Sequence, residues 1–253
     1  MHVISDQTTI AAVTAVDAAQ KLEITAAVAM RPRVCRLTLH DCDDSITKAA
    51  VVDADLQFAW EINQTYTQSL FTGQIETVST PKLETVELVG FDSFRKLQTE
   101  RLTLTLMDAT PAEMLRTLVG QKLGLPIGGI EDWPSMLDKL PMHRMTVIEA
   151  VKFIHQRMNL SHDCYFDEDG VFVWRERDYD QAPAYGFEVG YDADNFDLAA
   201  NSFTTQGVPL RLAQVVTLID SHDNLHTLFV TGLHFVDDGY GSSIDVTFEV
   251  VDG

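Results

Sequence analysis

Apolar and polar residues alternate from Cys35 onward, with Cys35, Leu37 and Leu39 set against Arg36, Thr38 and His40. The same period of two returns where Leu56, Phe58, Trp60 and Ile62 face off against Gln57, Ala59, Glu61 and Asn63. Successive side chains of a strand point to opposite faces, so both stretches are predicted as half-buried strands. The pattern continues through 68–78 and 83–91, around a turn expected at Ser79-Thr80-Pro81, and into Leu102, Leu104 and Leu106 separated by Thr103 and Thr105. Such a run of antiparallel strands predicts a small barrel or sandwich, because an open sheet of that size leaves unpaired edges.

The period then changes. Thr110-Pro111-Ala112-Glu113 combines a capping box with proline at the first helical position, and Met114, Leu115, Leu118 and Val119 supply the buried stripe of a helix that Gly124 can end. A second box, Thr146-Val147-Ile148-Glu149, opens a helix with Ile148, Val151, Ile154 and Met158 on one face. Between them, "GLPIGGIEDWPSMLDKLP" reads as an irregular connector with a turn of helix at Ser135–Lys139. "HDCYFDEDGVFVWRERD" reads as a hairpin whose Asp169-Gly170 supplies the positive-φ turn position. Three more strands follow in "RLAQVVTLIDS", "LHTLFVTGLHFVDD" and "SSIDVTFEVV".

Part of this pattern is written twice. "LQFAWEINQ", "SLFTGQIETV" and "LETVELVGFD" align in order with "RLAQVVTLID", "TLFVTGLHFV" and "SIDVTFEVV". Gly73 and Gly232 fall at matching places and are the expected equivalent pair, where a strand bends or another backbone comes close. Chance similarity of short hydrophobic strands is the competing reading. The expected fold class is mainly β (α+β), with two tandem small β-barrel modules at 21–108 and 179–253. An α/β insert at 109–178 separates them, and the N-terminal segment 1–20 is unassigned.

Composition narrows the function. A length of 253 residues with 45% hydrophobic content suits two or three modules with real cores. No run approaches a membrane span, and the start "MHVISDQTTIAAV" lacks a basic region and a cleavage-like site, which predicts a soluble chain made in the cytoplasm. The formal net charge of −20 disfavours a surface that grips phosphate. After Arg177 only Arg211 is basic, against thirteen carboxylates from Asp178 to Asp252, so the last third is strongly anionic, for solubility or as a functional field. Cys35, Cys42 and Cys164 have no paired spacing and read as free thiols.

The candidate chemistry is thin. No nucleophile elbow, P-loop or glycine fingerprint occurs. Asp167-Glu168-Asp169-Gly170 starts like a calcium loop but lacks the alternating oxygens and closing Glu, and Gly239-Tyr240-Gly241 reads as a hairpin turn. His222, Asp223 and His226 have helical ligand spacing in a segment that reads as a turn entering a strand, and His40, Asp41, Cys42, Asp43 and Asp44 read as a solvated loop. His143, His155 and His162 accompany the second helix with no nucleophile at readable spacing. The expectation is a protein without enzymatic activity, cofactor or metal site.

The order "LFTGQIETV…ETVELVGFD", "TPAEMLRTLV…GL", "TVIEAVKFIHQRMNL…YFDEDGVFVW" and "VVTLIDS…LFVTGLHFVDDG" resembles the baseplate hub family of contractile injection machines. That family includes phage late control protein D, the central hub of myophage baseplates and the N-terminal part of VgrG spikes. The resemblance runs from about Lys21 onward and implies a homotrimer in which each chain supplies two similar barrels. Six barrels would match the tail tube protein above, and three chains the spike below. It further implies contacts with other baseplate proteins, a channel through which DNA passes without specific binding, no membrane partner, and a place in the tail baseplate of a virion or an equivalent extracellular particle. Because the chain stops at Gly253, a separate spike protein is expected. The rival readings are a receptor- or glycan-binding β-module, which needs exposed aromatic platforms where Trp60, Trp133 and Trp174 lie in or beside elements, and a tail-borne hydrolase, for which the insert is too small.

Overall fold

The computed structural model describes residues 4–251 apart from 12, 17, 42–43, 63–65, 207, 209 and 239–240. The first alternating stretches form β1 (Ile4–Ile10), β2 (Val13–Val16), β3 (Ala19–Ala27), β4 (Val34–His40), the short helix α1 (Ser45–Ala49), β5 (Asp55–Ile62), β6 (Tyr66–Lys82) and β7 (Thr85–Phe91). The chain continues as α2 (Phe94–Thr99), β8 (Arg101–Ala109), α3 (Pro111–Leu115) with a π-helical continuation over Arg116–Lys122, β9 (Ile127–Ile130), β10 (Leu137–Thr146), α4 (Val147–Met158), β11 (Asp163–Phe166) and β12 (Phe172–Arg175). The chain then returns to the sheet with β13 (Tyr185–Glu188), β14 (Ala193–Asp197), β15 (Ser202–Thr205), β16 (Val215–Ile219), β17 (Leu225–Asp237) and β18 (Ser242–Val250).

Pairing in the first half runs β3-β4-β7-β6-β5-β1-β2, and only residues 17 and 18 separate β2 from β3. In the second half it runs β14-β15-β18-β17-β16-β13, and a single bridge from Val189 to Ala193 links the end of β13 to the start of β14. Both halves therefore arrange five strands in the same order: the sequence β1, β5, β6, β7, β4 is matched by β13, β16, β17, β18, β15. One direction differs, since β13 runs parallel to β16 while β1 runs antiparallel to β5. The mainly-β expectation holds. No ladder closes either half into the expected barrel among the described residues; chain continuity in one half and an isolated bridge in the other stand where a closing ladder would.

A ladder between β3 and β17, from Gly232↔Ala27 to Asp237↔Leu22, fuses the halves into one 13-stranded sheet. A polar row crosses this seam. Arg36 Nη1 donates to Glu23 Oε1 at 3.1 Å, His234 sits 3.3 Å from that oxygen and 3.4 Å from Asp245 Oδ2, and Thr204 Oγ1 donates to Asp245 Oδ1 at 3.0 Å. Beneath it one apolar core continues from Leu22, Phe58 and Phe71 to Phe203, Val216 and Phe248. The insert has its own core around Phe94, Leu118, Ile154, Phe172 and Trp174.

Both capping boxes form. Glu113 N donates to Thr110 Oγ1 at 3.3 Å while Glu113 Oε2 accepts from Thr110 N at 2.8 Å, and Thr146 and Glu149 repeat the exchange at 3.2 and 2.7 Å. Several expectations are corrected. β6 runs on through Ser79-Thr80-Pro81 and turns at Leu83-Glu84, where Glu84 takes φ 60°. No helix forms at Ser135–Lys139, because β10 begins at Leu137 and buries Leu137, Leu140 and Met142 while pairing with β8. Ile127–Ile130 in the same connector is a strand parallel to β12. β8, grouped by its alternation with the first strands, makes its only strand pairing with β10 and packs Leu102, Leu104 and Leu106 on the insert's core among the described residues. The unassigned N-terminal segment supplies the β1–β2 hairpin. No helix among the described residues is long and apolar enough to cross a membrane.

Candidate functional site

The hairpin β11–β12 is the tongue by which the insert reaches the sheet. Asp167 shapes its turn by accepting from Asp169 N at 3.1 Å and Val171 N at 2.9 Å, as its sequence suggests. Gly170 follows at φ +75°, and a Cβ there would stand 3.0 Å from Thr72 Cγ2 of β6, so glycine serves both the turn and the close approach. On the hairpin's sheet side, Tyr165 and Val173 pack with Ala26, Val28, Val215 and Phe229 in a third apolar cluster.

Two arginines fasten the tongue, one to each half. Arg33, between β3 and β4, points into the junction: Nη2 lies 3.0 Å from Glu168 Oε1, and Nη1 donates to Leu70 O at 2.9 Å. Both side chains are nearly sealed, at 4% and 7% exposure. The Arg33 Nε is buried without a partner, beside a cavity of about 30 Å³ lined by Leu70, Glu168, Leu233 and Phe235. Ser69 Oγ donates to Glu168 O at 2.9 Å, a second tie to β6. Asp92 closes the group: burial pushes its carboxyl up to about 7, although the Arg33 guanidinium and backbone donors pull it down. Its Oδ1 accepts from Phe94 N at 3.1 Å and so also starts α2.

Arg177 works at the other half. It grips Asp163 of β11 with two hydrogen bonds, Nε to Oδ2 at 2.8 Å and Nη2 to Oδ1 at 3.0 Å, pairs with Glu249 of β18, and lies over the Phe229 ring at 5.8 Å. These carboxylate bonds raise its pKa further. None of the residues in these two groups was singled out from the sequence for such a role. A lone Arg and a lone Glu 135 positions apart carry no local signal of pairing.

Gly73 lies in β6, opposite Leu56 of β5, one residue before Gln74, which pairs with both β5 and β7. A Cβ on Gly73 would stand 2.3 Å from Phe91 O and 2.7 Å from the tip of the Phe71 ring. Gly232 lies in β17 between Thr247 and Ala27, just after a bulge at Thr231, and its Cβ would stand 3.3 Å from Thr247 Cβ. Gly73 also lines a cleft of about 370 Å³ with Asp53, Asp55, Glu76, Arg95 and Glu100. Arg95 there is already engaged with Glu76 and the Phe91 ring, and Lys96 with Leu123 O.

The ligand-like clusters resolve into structure. His226 Nε2 lies 3.0 Å from Asp220 Oδ2, and Asp220 Oδ1 accepts from His222 N at 2.8 Å and Asn224 N at 2.9 Å, so Asp220 rather than Asp223 organises the turn. Asp41 caps α1 by accepting from Ile46 N and Thr47 N at 3.2 and 2.7 Å. Cys42, Asp43, Gly239 and Tyr240 lie outside the described residues. No group of three or more His, Cys, Asp or Glu among the described residues is arranged to hold a metal ion. Burial pushes the thiols of Cys35 and Cys164 up, which keeps them unreactive. In the insert, His162 is buried with its ring stacked on Trp174 at 4.1 Å, neither ring nitrogen hydrogen-bonded, and Glu131 Oε2 3.4 Å from Nε2. His155 Nε2 accepts from Trp174 Nε1 at 2.9 Å, and burial followed by the neighbouring His162 holds His155 down to about 4.

No family model matches the chain, and no curated protein does. Solved structures share its fold from end to end. The tail protein from Neisseria meningitidis MC58 superposes with a TM-score of 0.76 at 13% identity, over 99% of this chain and 97% of that one. The 43 kDa tail protein of prophage MuSo2 from Shewanella oneidensis gives 0.75 at 11% identity, over 98% and 97%. The E. coli c3393 protein, a component of the type VI secretion system with structural similarity to the T4 tail proteins gp27 and gp5, gives 0.66 at 9% identity, over 97% of this chain and 75% of that one. The fold is that of phage tail and type VI secretion proteins.

Proposed function

We propose that the chain is a structural baseplate hub of a phage tail or a related contractile injection machine, a homotrimeric adaptor joining a sixfold tail tube to a threefold spike. The observation that carries this reading is the strand order common to both halves, within a fold shared along its whole length with tail proteins. Two barrel-like modules per chain become six in a trimer, and a ring that closes by rotation leaves no contact free to grow a filament. In this reading Gly73 and Gly232 are counterparts in the middle strands β6 and β17, and the bulge at Thr231 takes up the extra residue of the second copy. The work is mechanical: holding the tube's end, seating a spike, contacting other baseplate proteins and leaving a passage. Carboxylates along that passage would let DNA slide without sticking.

A receptor- or glycan-binding role built on these tryptophans needs free indole faces, whereas Trp174 is buried in the insert's core and Trp133 sits edge-on to His162 at 5.5 Å. Multi-angle light scattering on the chain alone and mixed with the spike protein tests the hub reading. A trimer is expected in at least one sample; a strict monomer in both sinks it.

A further inference from the structure

Residues 131–136 join β9 to β10 without regular structure, and Trp133 is the one side chain of the six that is not exposed. This strap is tied at its start, where Glu131 N donates to Trp174 O at 2.9 Å and Glu131 Oε2 accepts from Glu176 N at 2.7 Å. Asp132 adds an ion pair with Arg116 at 2.8 Å that is open to water and so holds little. Two strap residues lie against His162, just before β11. Trp133 meets its ring edge-on at 5.5 Å, and Glu131 Oε2 stands 3.4 Å from its Nε2.

The imidazole under the strap has no polar partner that holds it. Its side chain is 1% exposed, its ring is stacked on Trp174 at 4.1 Å, and neither nitrogen is hydrogen-bonded. The charges that face it are weak counter-ions. Glu131 is 41% exposed, so water screens it, and its nearer oxygen already accepts from Glu176 N. Asp163 of β11 is taken up by the two bonds from Arg177, and the Glu176 side chain beyond β12 is exposed. From α4 comes His155, its ring 6.4 Å away, which would add a like charge if it were protonated. Burial therefore outweighs Glu131, Glu176 and Asp163 and holds His162 below the ordinary histidine range.

We propose that residues 131–136 are a proton-operated strap, closed over a neutral His162 near neutral pH and lifted on acidification, when His162 takes a proton from water and Trp133 is uncovered. The sign follows from linkage: the closed form declines a proton that the open form accepts, so closure is complete above about 6.5 and weakens as pH falls. Lifting is local, because the ties to be broken are few and the sheet has a core of its own. The device is independent of the hub reading.

Hydrogen exchange, corrected for the intrinsic pH dependence of amide exchange, and acrylamide quenching of tryptophan follow the strap in the wild-type chain. Between about pH 7.5 and about pH 5, opening of 131–136 is expected to rise about tenfold, while the amides of β17 and β18 stay protected. His162→Phe keeps a ring against Trp174 and removes the titration, so its strap should open equally at both pH values. NMR of the wild-type His162 ring protons gives a second reading that needs no variant to fold, and a titration below about 6.5 is expected. The proposal is overturned by a strap whose exchange is constant until the sheet itself unfolds, by a folded His162→Phe chain as pH-sensitive as wild type, or by a ring that titrates at or above about 6.5.

Discussion

The two halves of the sheet share a strand order but receive the insert in opposite ways. At the first half Arg33 is sealed in, with one donor nitrogen unbonded and Glu168 as its ionic partner. At the second, Arg177 is half-buried, holds Asp163 with two bonds and shares itself with Glu249. Taking an ion pair out of water costs several kcal/mol per charge before attraction offsets it, so the buried pair is a constraint more than a source of stability. The middle strands diverge with it. β6 is drawn into the junction through Ser69, Leu70 and Thr72, while β17 turns its second stretch to β3 and makes the seam. A strand order can be shared while each half's middle strand takes a different job.

The largest expected effect tests the difference between the arginines. Arg33→Met leaves Glu168 buried without its counter-charge and is expected to lower the unfolding free energy by about 3–5 kcal/mol. Arg33→Met combined with Glu168→Met should recover most of that loss, because no buried charge is then orphaned. Arg177→Met, where the guanidinium is partly solvated but Asp163 is nearly sealed, should cost less, about 1–3 kcal/mol. Urea unfolding of the four proteins decides, and equal costs for the two arginines would erase the contrast.

Gly73 and Gly232 sharpen the same comparison. At Gly73 an added Cβ meets a backbone oxygen, which cannot swing aside, so Gly73→Ala is expected to cost about 3 kcal/mol. At Gly232 the neighbour is the Thr247 side chain at 3.3 Å, and Gly232→Ala should change stability by no more than about 1 kcal/mol. Similar losses at both would mean that the second strand is as tightly confined as the first.

Much of this fold was legible because its causes are local. Alternation marked β4, β5, β7 and β18, and the boxes at Thr110 and Thr146 marked where α3 and α4 begin. β1 escaped because Ser5, Asp6, Gln7, Thr8 and Thr9 offer no apolar period, though β1 pairs along its whole length with β5. The turn after β6 escaped because Pro81 looks like a turn residue, yet β6 pairs with β7 as far as Lys82 and a bulge absorbs the irregularity. Internal comparison of the sequence singles out Gly73 and Gly232. Arg33, Glu168 and Arg177 are not legible in it, since a contact spanning the chain leaves no periodicity and Glu168 sits in a stretch that reads as a turn.

The last effect sets the junction against the insert through pH, and the two should run in opposite directions. In the fold, burial holds His155 down to about 4, from 6.5, so the folded state declines a proton that the unfolded chain accepts. Its contribution is complete above about 6.5 and is lost as pH falls toward about 4. Asp92 is pushed up to about 7 from 3.8, so here the folded state keeps a proton that the unfolded chain releases. Its contribution is complete below about 3.8 and is lost as pH rises toward about 7. Asp92→Asn retains the oxygen that accepts from Phe94 N and removes the titration, so its stability relative to wild type should climb as pH rises from 4 to 7. His155→Gln should gain on wild type in the other direction, as pH falls below 6.5. Urea midpoints for the three proteins at closely spaced pH values give both differences, in which the background of the many surface carboxylates cancels. Parallel profiles for the two variants would show that neither group titrates on its own, and would remove the electrostatic distinction between the junction and the insert.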